Sequence, residues 1–273
     1  MENKIEPITL YAYLNIDHPM VAWEVAIGRI VSSSSKINNG FGISIWQFDL
    51  IKQYLSEGLS IRLVNELTLE YLRQNTYPEL VSRMQGLYFF ENKKDARFAL
   101  QYWGIPLNEE YISEVIFYPE NITKVDSDWI TSNFSKRTDN SWMSKYWSGE
   151  INSKVPLFEI LTKGFGVIKN TELRKAAYKR IMDDYPESTA LLALATCAFQ
   201  YKEIDSVALI VPNLIMNNGN IQGQYFIYMD DLDNKQAEII QAFQRSQEED
   251  KCPPIIRPKD PDAFCRLPDL QEI

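Results

Sequence analysis

One acidic residue, Glu159, interrupts an otherwise apolar run from Val155 to Leu161. In a strand, such a residue lies either on the wet face of an alternating pattern or inside a cleft, and the sequence leaves both alternatives open. A carboxylate fixed in a cleft would stabilise positive charge that develops in a reacting substrate. If Glu159 lies in a cleft, it is therefore a candidate for such a carboxylate.

A second candidate, Arg83, precedes the aromatic strand predicted at Gly86 to Phe90. Its guanidinium could bind an anionic group bidentately, or it could pair with a local acid or cap a helix. Tyr88, Phe89 and Phe90 alternate in direction along a strand, so at least one of these rings must belong to the core.

Other chemistries lose support because their residues are missing. The chain has no Gly-rich nucleotide-binding motif, no H-E-x-x-H and no G-x-S-x-G. Its one histidine, His18, lies in a turn before a proline and is either a structural residue or a ligand contact. Cys197, Cys252 and Cys265 are too widely spaced for a disulfide scaffold or a zinc site, so we expect no metal.

The net charge of −9 disfavours a chain-wide grip on nucleic acid. A local basic patch between Lys163 and Arg180 is either a solvated helix face or a contact surface. The chain shows neither a long apolar span nor a basic-then-apolar start, so we expect a cytoplasmic protein without membrane contact.

The hydrophobic pattern predicts interspersed strands and helices without a βαβ rhythm, and hence an α+β fold. One or two helices are expected between Asp49 and Leu72, and Pro119 is expected to end the strand that begins at Tyr111. Dense aromatic residues from Asp128 to Ser148 are typical of a core. The remaining strands are expected at 8–14, 86–90, 157–161, 207–211 and 224–229, and the remaining helices at 20–30, 93–102, 172–184, 187–200 and 235–247.

Three stretches together carry a resemblance: Ser82-Arg83 with the aromatic strand and Asp95-Ala96, then Tyr146-Trp147-Ser148-Gly149, and Pro156-Leu157-Phe158-Glu159. Over about residues 80–180 the chain resembles a bacterial branch of the ADP-ribosyltransferase superfamily. That branch has an S-R strand followed by a D-A helix, a Y-W-x-G stretch and a P-x-x-E strand. The resemblance implies two small packed β-sheets that bind NAD as co-substrate, surrounded by helices and followed by a helical and β C-terminal extension.

The resemblance also implies roles for individual residues. Glu159 would hydrogen-bond the 2′-hydroxyl of the nicotinamide ribose and stabilise the oxocarbenium-like sugar as the base departs. Arg83 would bind the pyrophosphate, and Tyr88 or Phe90 would stack on nicotinamide. Tyr13 on the first strand and His18 just after it complete the predicted cofactor contacts.

The chain also departs from better-known members of this superfamily. No Arg or His lies within Leu10 to Leu14, and Leu157 occupies the position two residues before Glu159, where arginine-modifying relatives have Glu or Gln. The expected acceptor is therefore nucleic acid or another protein group, in an enzyme that acts as a toxin or phage-defence effector and has an antitoxin or regulatory partner. A non-catalytic binding module and a pseudoenzyme with the same fold are the alternatives.

The predicted domain organisation has three parts. Residues 1–170 would form the ADP-ribosyltransferase-like core. Residues 171–247 would add a helical hairpin, a β-hairpin and a helix packed on that core. Residues 248–273 are rich in proline and charge and are expected to be a flexible tail.

Overall fold

The computed structural model describes residues 6–33, 41–56, 60–137, 139–257 and 265–272. The described residues form these elements, in chain order: β1 (Ile8–Tyr13), α1 (Pro19–Ile27), β2 (Arg29–Val31), β3 (Phe41–Gly42), α2 (Ile45–Ser56), α3 (Ile61–Thr76), β4 (Leu87–Phe89), α4 (Lys93–Tyr102), β5 (Ile112–Asp126), α5 (Asp128–Asn133), α6 (Ser141–Trp147), β6 (Phe158–Ile168), α7 (Thr171–Asp184), α8 (Thr189–Lys202), β7 (Leu209–Asn217), β8 (Asn220–Tyr228), α9 (Asp230–Asn234), α10 (Gln236–Glu248) and β9 (Leu270–Glu272).

The chain divides into two compact units. The first unit comprises residues 1–13 and 31–166, and the second comprises residues 14–30 and 167–273. The second unit therefore includes α1, which lies early in the sequence. The predicted limits at residues 170 and 247 stay predictions.

Within the first unit, β5 lies between β1 and β6 in one sheet, and β4 also pairs with β6. β1 runs antiparallel to β5, and β4 runs antiparallel to β6 with Tyr88 opposite Leu161. Phe89 and Phe117 pack in its core with ring centroids 5.1 Å apart. Trp142, Tyr146 and Trp147 are buried as the aromatic density predicts. Helices combined with antiparallel strands confirm the α+β class.

The second unit combines helices with a smaller set of strands. β7 and β8 form an antiparallel hairpin, and β9 adds to β8 in parallel. The tail predicted to extend freely from residue 248 instead contacts this unit in its described part. The Pro254 carbonyl accepts a hydrogen bond from the Tyr178 hydroxyl, and the Ile256 N–H donates to Thr189.

Three exposed cations of the basic patch on α7 form ion pairs within the helix. The helix begins one residue earlier than predicted, because Asn170 rather than Thr171 caps it. Its exposed cations pair with acids of the same helix: Lys175 with Glu172, Lys179 with Asp183, and Arg180 with Asp184. The solvated helix face is thus the better of the two interpretations for this helix.

The strand predicted to end at Pro119 in fact continues to Asp126 as β5. The prediction is wrong because β6 has Gly164 beside this point, with a backbone φ of +136° and no side chain. A Cβ there would lie 3.2 Å from the Pro119 Cα and would overlap the Tyr118 carbonyl oxygen. Glycine therefore lets the strands approach closely where proline cannot donate a hydrogen bond.

Replacing Gly164 with alanine is expected to lower the free energy of unfolding by more than about 1–3 kcal/mol, because a steric clash adds to the backbone strain. Gly104→Ala is the matched control, since Gly104 has a φ of +68° and open space around it. It should show the backbone term alone, about 1 kcal/mol. Urea unfolding measures both variants, and equal losses would contradict a steric contribution at Gly164.

Candidate active site

Residues from four elements and one connecting segment meet inside the first unit. Glu66 lies on α3, Tyr146 on α6, Tyr88 on β4 and Glu159 on β6, while Arg83 lies in the segment before β4. Glu66 follows Leu63 by three residues on α3, and both side chains are buried. Glu159 lies two residues before Leu161, which pairs with Tyr88, so these side chains share one face of the sheet.

The Arg83 guanidinium is the centre of this network. Its Nε donates to Glu66 Oε1 at 3.0 Å, and its Nη1 donates to Glu159 Oε1 at 2.6 Å. The same Nη1 lies 3.0 Å from the Tyr146 hydroxyl. The Tyr88 and Tyr146 ring centroids are 5.4 and 5.6 Å from Arg83 Cζ, close enough for cation–π attraction. One buried cation thus joins two carboxylates and two aromatic rings.

Glu159 is 4% exposed. Burial raises the pKa of its carboxyl group, while the Arg83 cation and a hydrogen bond from Tyr146 oppose that rise. Nearby Glu66 raises it further. The pKa of Glu159 therefore lies above that of an ordinary glutamate, although a cation touches it.

The pKa values of its neighbours shift in a consistent way. Burial alone would lower the pKa of Arg83, but the Glu66 carboxylate and the other groups around it hold it well above the ordinary value. Burial raises the pKa of Tyr146 well above the ordinary value for a tyrosine. Arg83 is thus charged and Tyr146 is a neutral donor at neutral pH.

The backbone that carries Arg83 is held from both sides. The Tyr88 hydroxyl donates to the Arg83 carbonyl at 2.6 Å. The Ser82 hydroxyl donates to Glu70 Oε2 at 2.9 Å, and Arg73 binds the same carboxylate. These contacts fix the position from which the guanidinium reaches Glu159.

Two buried polar atoms beside the network have unused hydrogen-bonding capacity. Glu66 Oε2 and Gln47 Nε2 have no partner among the described residues, and both side chains are fully buried. Gln47 belongs to the same cluster, because its side-chain amide lies 3.1 Å from the Tyr88 hydroxyl, whose proton goes to the Arg83 carbonyl. Buried polar atoms are nearly always satisfied in proteins, so the open acceptor on Glu66 is an unusual feature of this cluster.

The structure brings together three of the six residues predicted for the site, namely Arg83, Tyr88 and Glu159. Phe90 instead belongs to an apolar cluster with residues of α4, and Tyr13 packs against that cluster. The Tyr13 hydroxyl donates to the Pro106 carbonyl. His18 belongs to the second unit, where its ring caps the start of α1 and lies 3.3 Å from the Tyr225 hydroxyl.

Sequence reasoning assigned no role to three members of the network: Glu66, Tyr146 and Gln47. Tyr146 lies in one of the stretches that carry the resemblance. Glu66 offered a different signal, because it occupies a position on α3 where the helical pattern calls for an apolar residue. An acid at such a position indicates a buried charge with a partner.

Comparison with known proteins shows the family. Residues 19–172 match a family described as "Protein of unknown function (DUF2441)". The match covers more than half of the chain, and the protein belongs to this family. No curated protein matches the sequence. Among the described residues, no helix combines the length and apolar character needed to cross a membrane.

Proposed function

We propose that this member of the DUF2441 family is an NAD-dependent ADP-ribosyltransferase in which Glu159 is the catalytic carboxylate. The observation that carries the proposal is the contact of Glu159 Oε1 with two donors, Arg83 Nη1 and the Tyr146 hydroxyl, each at 2.6 Å. These two donors lie 3.0 Å from each other. The residues in contact come from all three stretches that resemble the superfamily. A carboxylate held in this way is preorganised to face a developing cation.

The arrangement suits the charge changes of the proposed reaction. The bond between the ribose and nicotinamide breaks, its electron pair leaves with the base, and C1′ becomes cationic. The acceptor nucleophile then bonds to C1′ and releases its proton. Both donors use Oε1 of Glu159, and Oε2 accepts no hydrogen bond from any described residue. Oε2 is the atom we assign to the ribose 2′-hydroxyl.

The contacts of Arg83 favour a positioning role over the pyrophosphate contact expected from the sequence. Its guanidinium already bonds to Glu66 and Glu159, and it is 5% exposed. A phosphate could reach it only if one of these ion pairs opened. Tyr88, whose ring packs on the same guanidinium, remains the proposed stacking residue for nicotinamide.

The acceptor in this proposal is a macromolecule, either nucleic acid or a protein group. The cations of α7 that could have attracted a phosphate backbone are paired with local acids. Electrostatic attraction is the main source of non-specific nucleic-acid binding. This pairing favours a protein acceptor over a nucleic-acid acceptor. We propose that the enzyme acts as a toxin or phage-defence effector and has a regulatory partner.

A specific observation favours the alternative, a non-catalytic binding module or pseudoenzyme. Glu159 and Arg83 are 4% and 5% exposed, and a buried ion-pair network can serve only to specify the fold. In that case NAD would find no entry to Glu159. Binding of NAD therefore separates the two functions.

Saturating NAD is expected to raise the melting temperature by about 5 °C or more, because a ligand at 100 times its Kd stabilises the native state by about 2.7 kcal/mol. Differential scanning fluorimetry with NAD, and with adenosine as a control ligand, measures the shift. Tyr88→Phe should keep the shift, since it retains the ring. The absence of any shift at millimolar NAD would favour the binding module.

A further inference from the structure

Two cysteines far apart in sequence lie next to each other in the second unit. Cys197 is buried on α8, and its Sγ lies 3.2 Å from the Ser246 Oγ on α10. After α10 the chain turns back, and the Lys251 N–H donates to the Ser246 carbonyl at 2.8 Å. Cys252 is the next residue, so both cysteines adjoin Ser246.

The two thiols differ in their exposure to solvent. Burial raises the pKa of the Cys197 thiol, the hydrogen bond with Ser246 opposes that rise, and the nearby Cys252 thiol adds to it. Both cysteines also contribute to raising the pKa of Tyr178, whose hydroxyl donates to the Pro254 carbonyl. Cys252 is partly exposed, whereas Cys197 is 1% exposed. An oxidant from solvent therefore meets Cys252 first.

We propose that Cys197 and Cys252 form a reversible disulfide that locks the segment after α10 onto α8. Peroxide oxidises the Cys252 thiol to a sulfenic acid and is itself reduced to water. The Cys197 sulfur then attacks the Cys252 sulfur, an S–S bond forms, and a second water leaves. A thiol reductant reverses the change by exchange.

The segment that the disulfide would lock is already held by hydrogen bonds. The Tyr178 hydroxyl binds the Pro254 carbonyl at 2.9 Å, and the Ile256 N–H donates to Thr189 Oγ1 at 2.9 Å. These contacts place the segment against α7 and the start of α8. A covalent bond at Cys252 would make this docking persist when the noncovalent contacts open.

The test treats the reduced full-length chain with hydrogen peroxide, alkylates remaining thiols under denaturing conditions and maps the peptides. We expect a mass decrease of about 2 Da before alkylation and one linked pair of peptides that contains Cys197 and Cys252. Cys265 should be alkylated in the same sample. Oxidation should raise the melting temperature by about 5 °C or more.

Matched variants make the result decisive. Cys265→Ser should form the linked pair as readily as the unmodified chain, whereas Cys252→Ser should form none. The reaction should be faster at alkaline pH, because only the thiolate of Cys197 attacks and burial raises its pKa. A link that uses Cys265, or oxidation of Cys252 that leaves Cys197 open to alkylation, would overturn the proposal.

Discussion

Replacing Glu159 with glutamine is expected to lower NAD turnover by about 10²- to 10³-fold, the usual loss when one preorganised electrostatic contact to a transition state is removed. Glutamine has nearly the same size, and its amide oxygen can still accept from Tyr146 or Arg83. The charge that would face the cationic sugar is lost. The fold should persist, because Arg83 keeps its ion pair with Glu66.

Release of nicotinamide from NAD, followed by chromatography, measures this prediction. Glu114→Gln is the matched control, since Glu114 is an exposed strand acid that accepts a hydrogen bond from the Tyr11 hydroxyl. It should retain full turnover. If Glu159→Gln turns over NAD as fast as this control, Glu159 is not the catalytic carboxylate.

The unmodified protein and Glu159→Gln should differ in how turnover and stability depend on pH. The ionised form of Glu159 is the active one, and its pKa is raised, so turnover should increase with pH above the range of an ordinary glutamate.

Stability should change with pH in the opposite direction to turnover. A raised carboxyl pKa in the folded state stabilises the fold below the unfolded-state pKa, and that contribution is lost as pH rises through the folded-state pKa. The unmodified protein should thus lose stability relative to Glu159→Gln over this interval.

Replacing Arg83 with methionine is expected to lower the free energy of unfolding by about 3–5 kcal/mol, the usual cost of leaving a buried charge without its partner. Glu66 and Glu159 would both lose their cation while remaining buried. The pKa of Glu159, already raised by burial, would rise further without the Arg83 cation that opposes this. The loss should consequently diminish as the pH falls and Glu159 becomes protonated.

Chemical denaturation at several pH values tests this effect. Arg97→Met is the control, because Arg97 and its partner Glu109 form an exposed ion pair and its removal should change stability little. Combining Arg83→Met with Glu66→Gln and Glu159→Gln should recover much of the loss, since no buried charge is then left unpaired. A loss in Arg83→Met no larger than in Arg97→Met would show that the network does not contribute to stability.

Local sequence signals were sufficient for most of the regular elements. Asn92 predicts the start of α4, and it caps that helix by accepting from the Asp95 N–H. Capping residues act through neighbours three positions away, so their effect can be read without the fold. The prediction that β5 ends at Pro119 was wrong because Gly164, which lets the neighbouring strand approach this proline, lies on another strand. A long-range pairing of this kind leaves no local signal.

Local sequence signals likewise predicted only part of the candidate site. Amino-acid type marked Glu159 as unusual, because a charge in an apolar run needs a partner, whereas the resemblance supplied the roles expected of Arg83 and Tyr88. The sequence could not show that Arg83 binds Glu159, 76 residues away, or that Glu66 and Tyr146 complete the contact. Nor could it show that Phe90 and His18 lie elsewhere.

The sequence by itself indicated most of the helices and strands and marked Glu159 as a charge that needs a partner, since both signals come from residue type and short-range spacing. Only the tertiary structure decided the raised pKa of Glu159, the pairing of Arg83 and the position of Cys197 beside Ser246. These properties depend on burial and on distances between segments remote in the chain. Burial and these distances are fixed only when the chain folds, so no local sequence pattern indicates them.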